Sequence, residues 1–377
     1  MATVNTNSTI LHIISGDLWA GAEVQAYTLL KHLQPQVQLH VVLMNEGELA
    51  NRLRALNITV TLLPETQLSA FAVLKKLVIL IKELKPDVIH THRQKENILG
   101  GIANVIAFPF APNRPKSVRT THGAPEFKVS GKQKLQVWLD SFVGKYLQQA
   151  VIAVSDDLAQ KLSATFPVDH IHVVHNGVDA IALAASSTAA DFKIALPEHK
   201  HIGIIGRIEP VKRVDIFIEM AALLLKQAVT SQPLFFHIIG DGRLRSDMEA
   251  LVASFDSLGG AEYFRFHGHR NDMASCIASL DVIVMCSDHE GTPMTALEAL
   301  ALGTPLIAHD VGGLHELLFE YPEFLVQEHS PSAYAQCLGR YLTSEIPVPA
   351  LSEKYKAETN AAEVLALYRD LVCGTPL

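Results

Sequence analysis

Glu290 and Glu298 stand with seven residues between them, around the turn Gly291-Thr292-Pro293. Carboxylates accept hydrogen bonds from hydroxyl groups, so a ligand held there would meet two acceptors. Arg207 and Lys212 lie in the string GRIEPVKRVD, just past an apolar run. Arginine matches pairs of phosphate oxygens through its planar fork and lysine adds a compact charge, so the two suit a departing diphosphate. His122 closes the run SVRTTH and precedes Gly-Ala-Pro. Histidine donates a hydrogen bond or exchanges a proton near neutral pH. Each type alone is commonplace: helix surfaces carry carboxylate pairs, basic pairs dot most surfaces, and the chain has 18 His. Only position raises these residues above the rest.

Position comes from the elements around them. DVIVMCSDHEGTPMTALEALALGTPLIA reads as a strand over Val282–Met285, a polar loop, a helix closed by Gly303 and a strand over Pro305–Ala308. Thr292 suits the N-cap of that helix and Pro293 its first position, because proline has no N–H to leave unpaired. The helix N-terminus then points into the crevice at the carboxyl end of the strand, where free N–H groups and the helix dipole favour an anion. A second strand-loop-helix begins with ILHIIS, continues through GDLWAGAE and takes a helical period at Val24, Tyr27, Leu30 and Leu33.

The string EGTPMTALEALALGTPLIA in this β-loop-α-β setting resembles the signature of retaining, nucleotide-sugar-dependent glycosyltransferases of family four, with the GT-B fold. The resemblance implies a transferase whose donor is a nucleoside-diphosphate sugar, taken as UDP-linked, and the absence of a D-x-D triplet adds the expectation that it needs no metal and no other cofactor. Glu290 and His122 become the catalytic pair beside the donor sugar, and Glu298 the ribose ligand, with Gly291, Thr292 and Pro293 lining sugar and ribose. Arg207, Lys212 and the backbone at Gly21, Ala22, Met294 and Thr295 fall to the diphosphate. His269 and Arg270 fall to the base, and His92 to the acceptor side, where His90 and His92 line the site or cap a strand. Ala22 replaces the second glycine of the family's pair, and Arg213 stands where many members have glycine. The turn there is expected to differ, with Arg213 a candidate third cation. No D-x-D triplet occurs, and His267 with His269 lacks a third ligand at metal spacing. Glu316, in the first turn of a helix opened by Gly312 and Gly313, reads as structural.

Two other classes compete. A dinucleotide protein would carry G-x-G-x-x-G, and the nearest string, GDGRLR at Gly240, lacks the last glycine. A non-catalytic sugar-nucleotide binder would differ from an enzyme by failing to turn over donor.

Apolar runs alternating with helical periods along both halves predict two doubly wound parallel sheets in an α/β chain, facing a central cleft. The expected boundaries are an acceptor domain over 1–180, a linker over 181–198 and a nucleotide-sugar domain over 199–350. A helix over 351–377 is expected to pack back on the first domain.

The 377 residues allow two full cores. The net charge of −8 divides unevenly: residues 1–180 carry 17 Lys and Arg against 14 Asp and Glu, and the remainder 14 against 25. An acidic total argues against nucleic acid as partner. Cys276, Cys286, Cys337 and Cys373 form no C-x-x-C pair and read as reduced thiols of a cytoplasmic protein. The N-terminus shows no signal-peptide pattern, and no run reaches the roughly 18 apolar residues of a span. Arg114, Lys116, Arg119, Lys128, Lys132, Lys134 and Lys145 interleave with Phe127, Val129, Val137, Trp138 and Phe142. That mixture suits either an anionic bilayer carrying a lipid-linked glycan acceptor, or a solvated helix face.

Overall fold

Runs of β-branched and aliphatic residues with few polar interruptions cannot face water on either side, and parallel sheets clad in helices bury both faces. The computed structural model describes residues 8–110, 114–123, 132–228, 230–255 and 260–374, with the side chains at 132 and 133 left aside. It divides into unit 1, Met1–Gly177 with Glu353–Leu377, and unit 2, Val178–Ser352.

Unit 1 holds strands β1 (Thr9–Ile14), β2 (Gln38–Leu43), β3 (Thr59–Leu62), β4 (Val88–Thr91), β5 (Lys116–Thr121), β6 (Ala150–Ala153) and β7 (Ile171–Val173). Between them run α1 (Gly21–Leu33), α2 (Glu48–Ala55), α3 (Ala70–Leu84), α4 (Gln94–Ala107), α5 (Lys132–Tyr146) and α6 (Asp156–Leu162). The sheet order is β3-β2-β1-β4-β5-β6-β7, parallel throughout.

Unit 2 opens with α7 (Ala180–Ser186) and α8 (Asp191–Ala195). Its strands are β8 (Lys200–Ile205), β9 (Leu234–Ile239), β10 (Phe264–Gly268), β11 (Val282–Met285), β12 (Leu306–His309) and β13 (Leu325–Val326). Its remaining helices are α9 (Val214–Gln227), α10 (Arg245–Ala253), α11 (Met273–Ser279), α12 (Met294–Ala301), α13 (Gly312–Leu318) and α14 (Pro331–Thr343). The sheet order is β10-β9-β8-β11-β12-β13, again parallel. The last helix, α15 (Ala357–Cys373), returns to unit 1. There Ala361, Val364, Leu365, Tyr368 and Leu371 join β1, β4, β5 and β6 in one core, while α3 and α4 cover the opposite face.

Strand order reverses between β1 and β4 in unit 1 and between β8 and β11 in unit 2. Open α/β sheets bind ligands outside the carboxyl ends of the strands at such switch points, because the flanking loops part there. The loops after β1, β4, β8 and β11 carry most of the candidate residues; His122 follows β5, and His269 and Arg270 follow β10.

Residues 181–198, expected as a linker, instead build the start of unit 2. Thr188 N–H donates to Ser275 Oγ at 3.0 Å and Ala190 N–H to Ser279 Oγ at 2.8 Å. Phe192 is buried. The small residues that blurred the helical period are what lets this segment lie close against α11.

Candidate functional site

In unit 2, Ile204, Ile205, Gly206, Arg207, Lys212, Met285, Cys286, Ser287 and Glu290 line one pocket at the switch point. Gly206 has φ 149°, in the region that favours glycine, and turns the chain out of β8. A Cβ at Gly240 would sit 1.9 Å from the Gly206 carbonyl oxygen, and one at Gly242 2.4 Å from that of Ile208. The GDG of GDGRLR therefore serves backbone packing against the loop that carries Arg207. Arg207 is exposed, with no side-chain hydrogen bond or ion pair among the described residues. Lys212 and Glu290 form an ion pair, and Ser287 Oγ donates to Glu290 Oε1 at 2.7 Å.

Arg213 corrects its expectation. Its backbone lies in the left-handed region at φ 49°, a conformation glycine takes readily, so the turn needs no different path. Its guanidinium is no free cation: it reaches Asp215 at 2.9 Å and Asp288 at 3.3 Å. The Asp215 hydrogen bond holds it more firmly protonated still.

The cap of α12 also lies one residue later than the sequence implies. Pro293, at ψ 130°, is not yet helical and is itself the N-cap, so Met294 and Thr295 are the first two helical residues. The Pro293 carbonyl accepts from Ala296 and Leu297 N–H, and the Pro293 side chain offers no cap. Gly303, at φ 72°, closes the helix. Gly313 packs so close that a Cβ there would fall 2.1 Å from the Gly291 carbonyl oxygen, which fixes the Glu290–Thr292 loop. Glu298, one turn into α12, has no side-chain partner among the described residues. Burial pushes its carboxyl up to about 7.

Of the residues assigned to the base, His269 is exposed. Arg270 commits its side chain to Asp272 at 2.6 Å and Asp191 at 3.1 Å, tying α8 to the start of α11 and leaving the backbone as its route to a base. His267 engages one ring nitrogen in a ladder with His237 and His201 at 2.8 Å per step that ends on the Leu196 carbonyl.

In unit 1, Gly21 and Ala22 open α1 behind Ala20, whose side chain offers no cap. Glu23 beside them is buried and paired with Arg93, which also reaches Asp17 at 3.0 Å. Burial raises the Glu23 carboxyl, and Arg93 opposes that rise. His122 sits just beyond β5, half-buried, with Nε2 3.4 Å from His92 Nδ1. His92 and His90 are buried, so His92 presents no nitrogen to an acceptor: both of its ring nitrogens face His12 and His122. His12, His90 and His92 place ring nitrogens within 4.8 Å of one another, a cluster that the sequence reading missed. Its one signal was a polar residue inside the apolar run ILHIIS. Tyr368 and Ser287 were missed as well.

The basic segment divides. Arg114 donates to the Phe108 and Pro109 carbonyls, and buried Arg119 pairs with Asp140 at 2.8 Å. Phe127, Lys128 and Val129 lie outside the described residues, as does the Lys132 side chain. Lys134 and Lys145 are exposed, and so is an apolar stripe on α5 of Leu135, Trp138, Phe142 and Tyr146, with Trp138 59% and Tyr146 63% exposed.

This chain matches the family model for glycosyl transferases group 1 over residues 199–344 and the model for Glycosyltransferase Family 4 over residues 19–181. It is 27% identical over 277 residues to the UDP-Gal:alpha-D-GlcNAc-diphosphoundecaprenol alpha-1,3-galactosyltransferase of Escherichia coli, covering 71% of this chain and 69% of that protein. It is 32% identical over 216 residues to the D-inositol 3-phosphate glycosyltransferase of Streptomyces scabiei, covering 53% of this chain and 48% of that one. The match thus spans about half the length of the latter relative. The fold resembles Anabaena HepE in complex with UDP and glucose, with a TM-score of 0.74 at 21% identity over 97% of this chain and 96% of that one. It also resembles a glycosyltransferase of Rickettsia africae, with a TM-score of 0.75 at 17% identity over 98% and 99%. Two parallel-sheet units, with family models matching both, make this chain a glycosyltransferase of the GT-B fold and a member of glycosyltransferase family four.

Proposed function

We propose that this glycosyltransferase moves a hexosyl group from a UDP-sugar, with retention at the anomeric carbon, to a glycan or lipid-linked glycan acceptor in cell-surface polysaccharide or lipopolysaccharide synthesis. The observation that carries this reading is the unit 2 pocket, where unpaired Arg207 stands beside the Lys212–Glu290 pair. A diphosphate entering there would compete for Lys212. Glu290, released, would accept from a sugar hydroxyl. The N–H groups of Met294 and Thr295, at the start of α12, add donors to the same anion. Glu298, without a partner, suits the two hydroxyls of a ribose, since a buried carboxyl gains most from donors it otherwise lacks. The protein's contribution is then electrostatic, stabilising charge on the leaving diphosphate with fixed cations in place of a metal.

The Escherichia coli relative, whose name gives a UDP-sugar donor and a diphosphoundecaprenol acceptor, supports the donor base and the acceptor class. On the acceptor side the exposed stripe on α5, flanked by Lys134 and Lys145, supports peripheral contact with an anionic bilayer, on the cytoplasmic face. No helix among the described residues is long and apolar enough to cross a membrane.

A panel of nucleotide sugars tests this, each assayed for hydrolysis and for transfer to a lipid-linked diphosphate sugar. The expected result is turnover of one UDP-sugar. Tight nucleotide binding without turnover of any donor would make the chain a non-catalytic binder. Vesicle sedimentation tests the membrane part. Binding to anionic vesicles should fall with salt, and Trp138→Ser with Phe142→Ser should release the protein while donor hydrolysis persists.

A further inference from the structure

Six side chains of unit 1 form one unbroken line of contacts. Thr120 Oγ1 lies 2.8 Å from His90 Nε2, and His90 Nδ1 lies 2.5 Å from the Tyr368 hydroxyl. That hydroxyl is 3.3 Å from His12 Nε2, His12 Nδ1 is 3.1 Å from His92 Nε2, and His92 Nδ1 is 3.4 Å from His122 Nε2. Both nitrogens of three imidazoles are spent inside the line. Only Nδ1 of His122, at its end, has no partner among the described residues. The members come from β1, β4, β5, the residues just beyond β4 and β5, and α15.

A neutral imidazole has one N–H and one lone pair, so neighbours at both nitrogens decide which carries the proton. In such a line every tautomer turns together. The phenol sets the direction, because O–H donors make shorter bonds than N–H donors. Tyr368 O–H therefore donates to His90 Nδ1 across the short contact, and His12 Nε2–H donates to the phenol oxygen across the longer one. His90 Nε2–H then donates to Thr120, His92 Nε2–H to His12 Nδ1, and His122 Nε2–H to His92 Nδ1.

We infer that this line is a tautomer lock, in which Tyr368, His12 and His92 act as positioning residues that hold His122 with a bare Nδ1, ready to accept a hydrogen bond from a substrate hydroxyl. Burial keeps the members neutral: His12 is lowered to about 3, His122 to about 4 with Arg93 and Arg119 adding to the effect, and His90 and His92 are lowered as well. An imidazolium would donate at both nitrogens and break the line. The cluster of His12, His90 and His92 has the spacing of a transition-metal site, yet both nitrogens of His90 are already bonded to Thr120 and Tyr368. Only the consequence for catalysis rests on the placement of His122 beside the donor sugar; the tautomer does not.

Long-range proton–nitrogen correlation spectra of the full chain labelled with ¹⁵N-histidine read the tautomers directly, with His122→Gln assigning its signals. The expected spectrum at neutral pH shows His122 protonated at Nε2 and bare at Nδ1. Tyr368→Phe removes the phenol, and a buried N–H left without an acceptor is worse tolerated than an unused lone pair. His12 should then move its proton to Nδ1 and the line should reverse, leaving His122 protonated at Nδ1. Turnover should fall about tenfold with the KM for donor little changed. A role in packing alone would lower the melting temperature and leave the His122 tautomer as in the parent. If Tyr368→Phe does not fold, the parent spectrum still decides: His122 protonated at Nδ1, an imidazolium, or stoichiometric zinc in the purified protein would overturn the lock. The expected tautomer in a protein whose turnover ignores His122→Gln would leave the lock standing and refute the sugar-side placement.

Discussion

The two units share a parallel-sheet plan and differ in how they treat polar groups near the switch point. Unit 1 spends most of them on one another, Arg119 on Asp140, Arg93 on Glu23 and Asp17, and the histidines on a line that ends at His122, while buried Glu96 in the first turn of α4 keeps one carboxylate oxygen without a partner among the described residues. Unit 2 leaves Arg207 and Glu298 without partners and holds Lys212 in a pair that a stronger anion can break. Each unit also threads a histidine ladder across neighbouring strands. That of unit 2 runs from the Leu196 carbonyl through His201 and His237 to His267, and that of unit 1 from Thr120 to His122; in each the last imidazole keeps one ring nitrogen without a partner among the described residues. Charged, unsatisfied groups suit a charged donor, and neutral, locked ones suit the selection of hydroxyls.

Breaking a closed group should cost stability and little else. Asp140→Ala strands the buried Arg119 and removes the acceptor of Asn97, whose amide donates to Asp140 at 2.7 Å. The expected loss is about 3–5 kcal/mol in chemical denaturation, because an uncompensated buried charge remains. A loss under about 1 kcal/mol, as for an exposed pair, would erase the distinction between the units.

An open group should behave the other way round. Arg207→Ala should lower kcat by roughly 10²–10³-fold, the scale of removing one donor that stabilises developing charge, with an unchanged melting temperature. Arg213→Ala, whose guanidinium is committed to Asp215 and Asp288, should stay within about threefold of the parent. Equal losses in the two variants would mean that pairing does not mark which cation serves the donor.

The two carboxylates of unit 2 should separate next. Glu290→Ala should lower turnover, and Glu298→Ala should weaken nucleotide binding. Glu298, raised to about 7, holds a proton through much of the range between its ordinary value of 4.5 and neutrality. Binding that favours the ionised form must release that proton below the raised value, so affinity should rise with pH and flatten above it. Between about pH 6 and 8 the parent should gain up to roughly tenfold in UDP affinity over Glu298→Gln, whose pH dependence is that of the phosphate alone. Calorimetric titrations of the two proteins running in parallel would remove Glu298 from the ribose.

The smallest expected effect is none at all: excess chelator should leave transfer unchanged, since Arg207 and Lys212 supply the charge a metal would. Activity lost to EDTA and restored by Mg²⁺ or Mn²⁺ would show that unit 2 lacks sufficient cation of its own.

Local signals carried much of the fold. Strands over Leu234–Ile239 and Val282–Met285 and the helix Ala70–Leu84 stand where apolar pattern, the Ser69 cap and the left-handed Lys85 put them. The α12 loop, with its turn residues and flanking strands, was legible because its chemistry lies within one contiguous string. Residues 181–198 were misread because small side chains hide a helical period, and the cap moved by one because Pro293 fits either position.

By itself the sequence determined the alternation of strand and helix and the contiguous Glu290-to-Glu298 string, since periodicity and turn chemistry act over a few residues. It also determined the Arg207 and Lys212 pair behind β8. Only the tertiary structure decided which charges remain open. The commitment of Arg213 and Arg270, the freedom of Arg207 and the pairing of Lys212 with Glu290 depend on groups up to 79 positions apart. The histidine line reaches further, joining His12 to Tyr368 across 356 positions. Pairing at that range is set by strand order and helix return, and no local pattern encodes either.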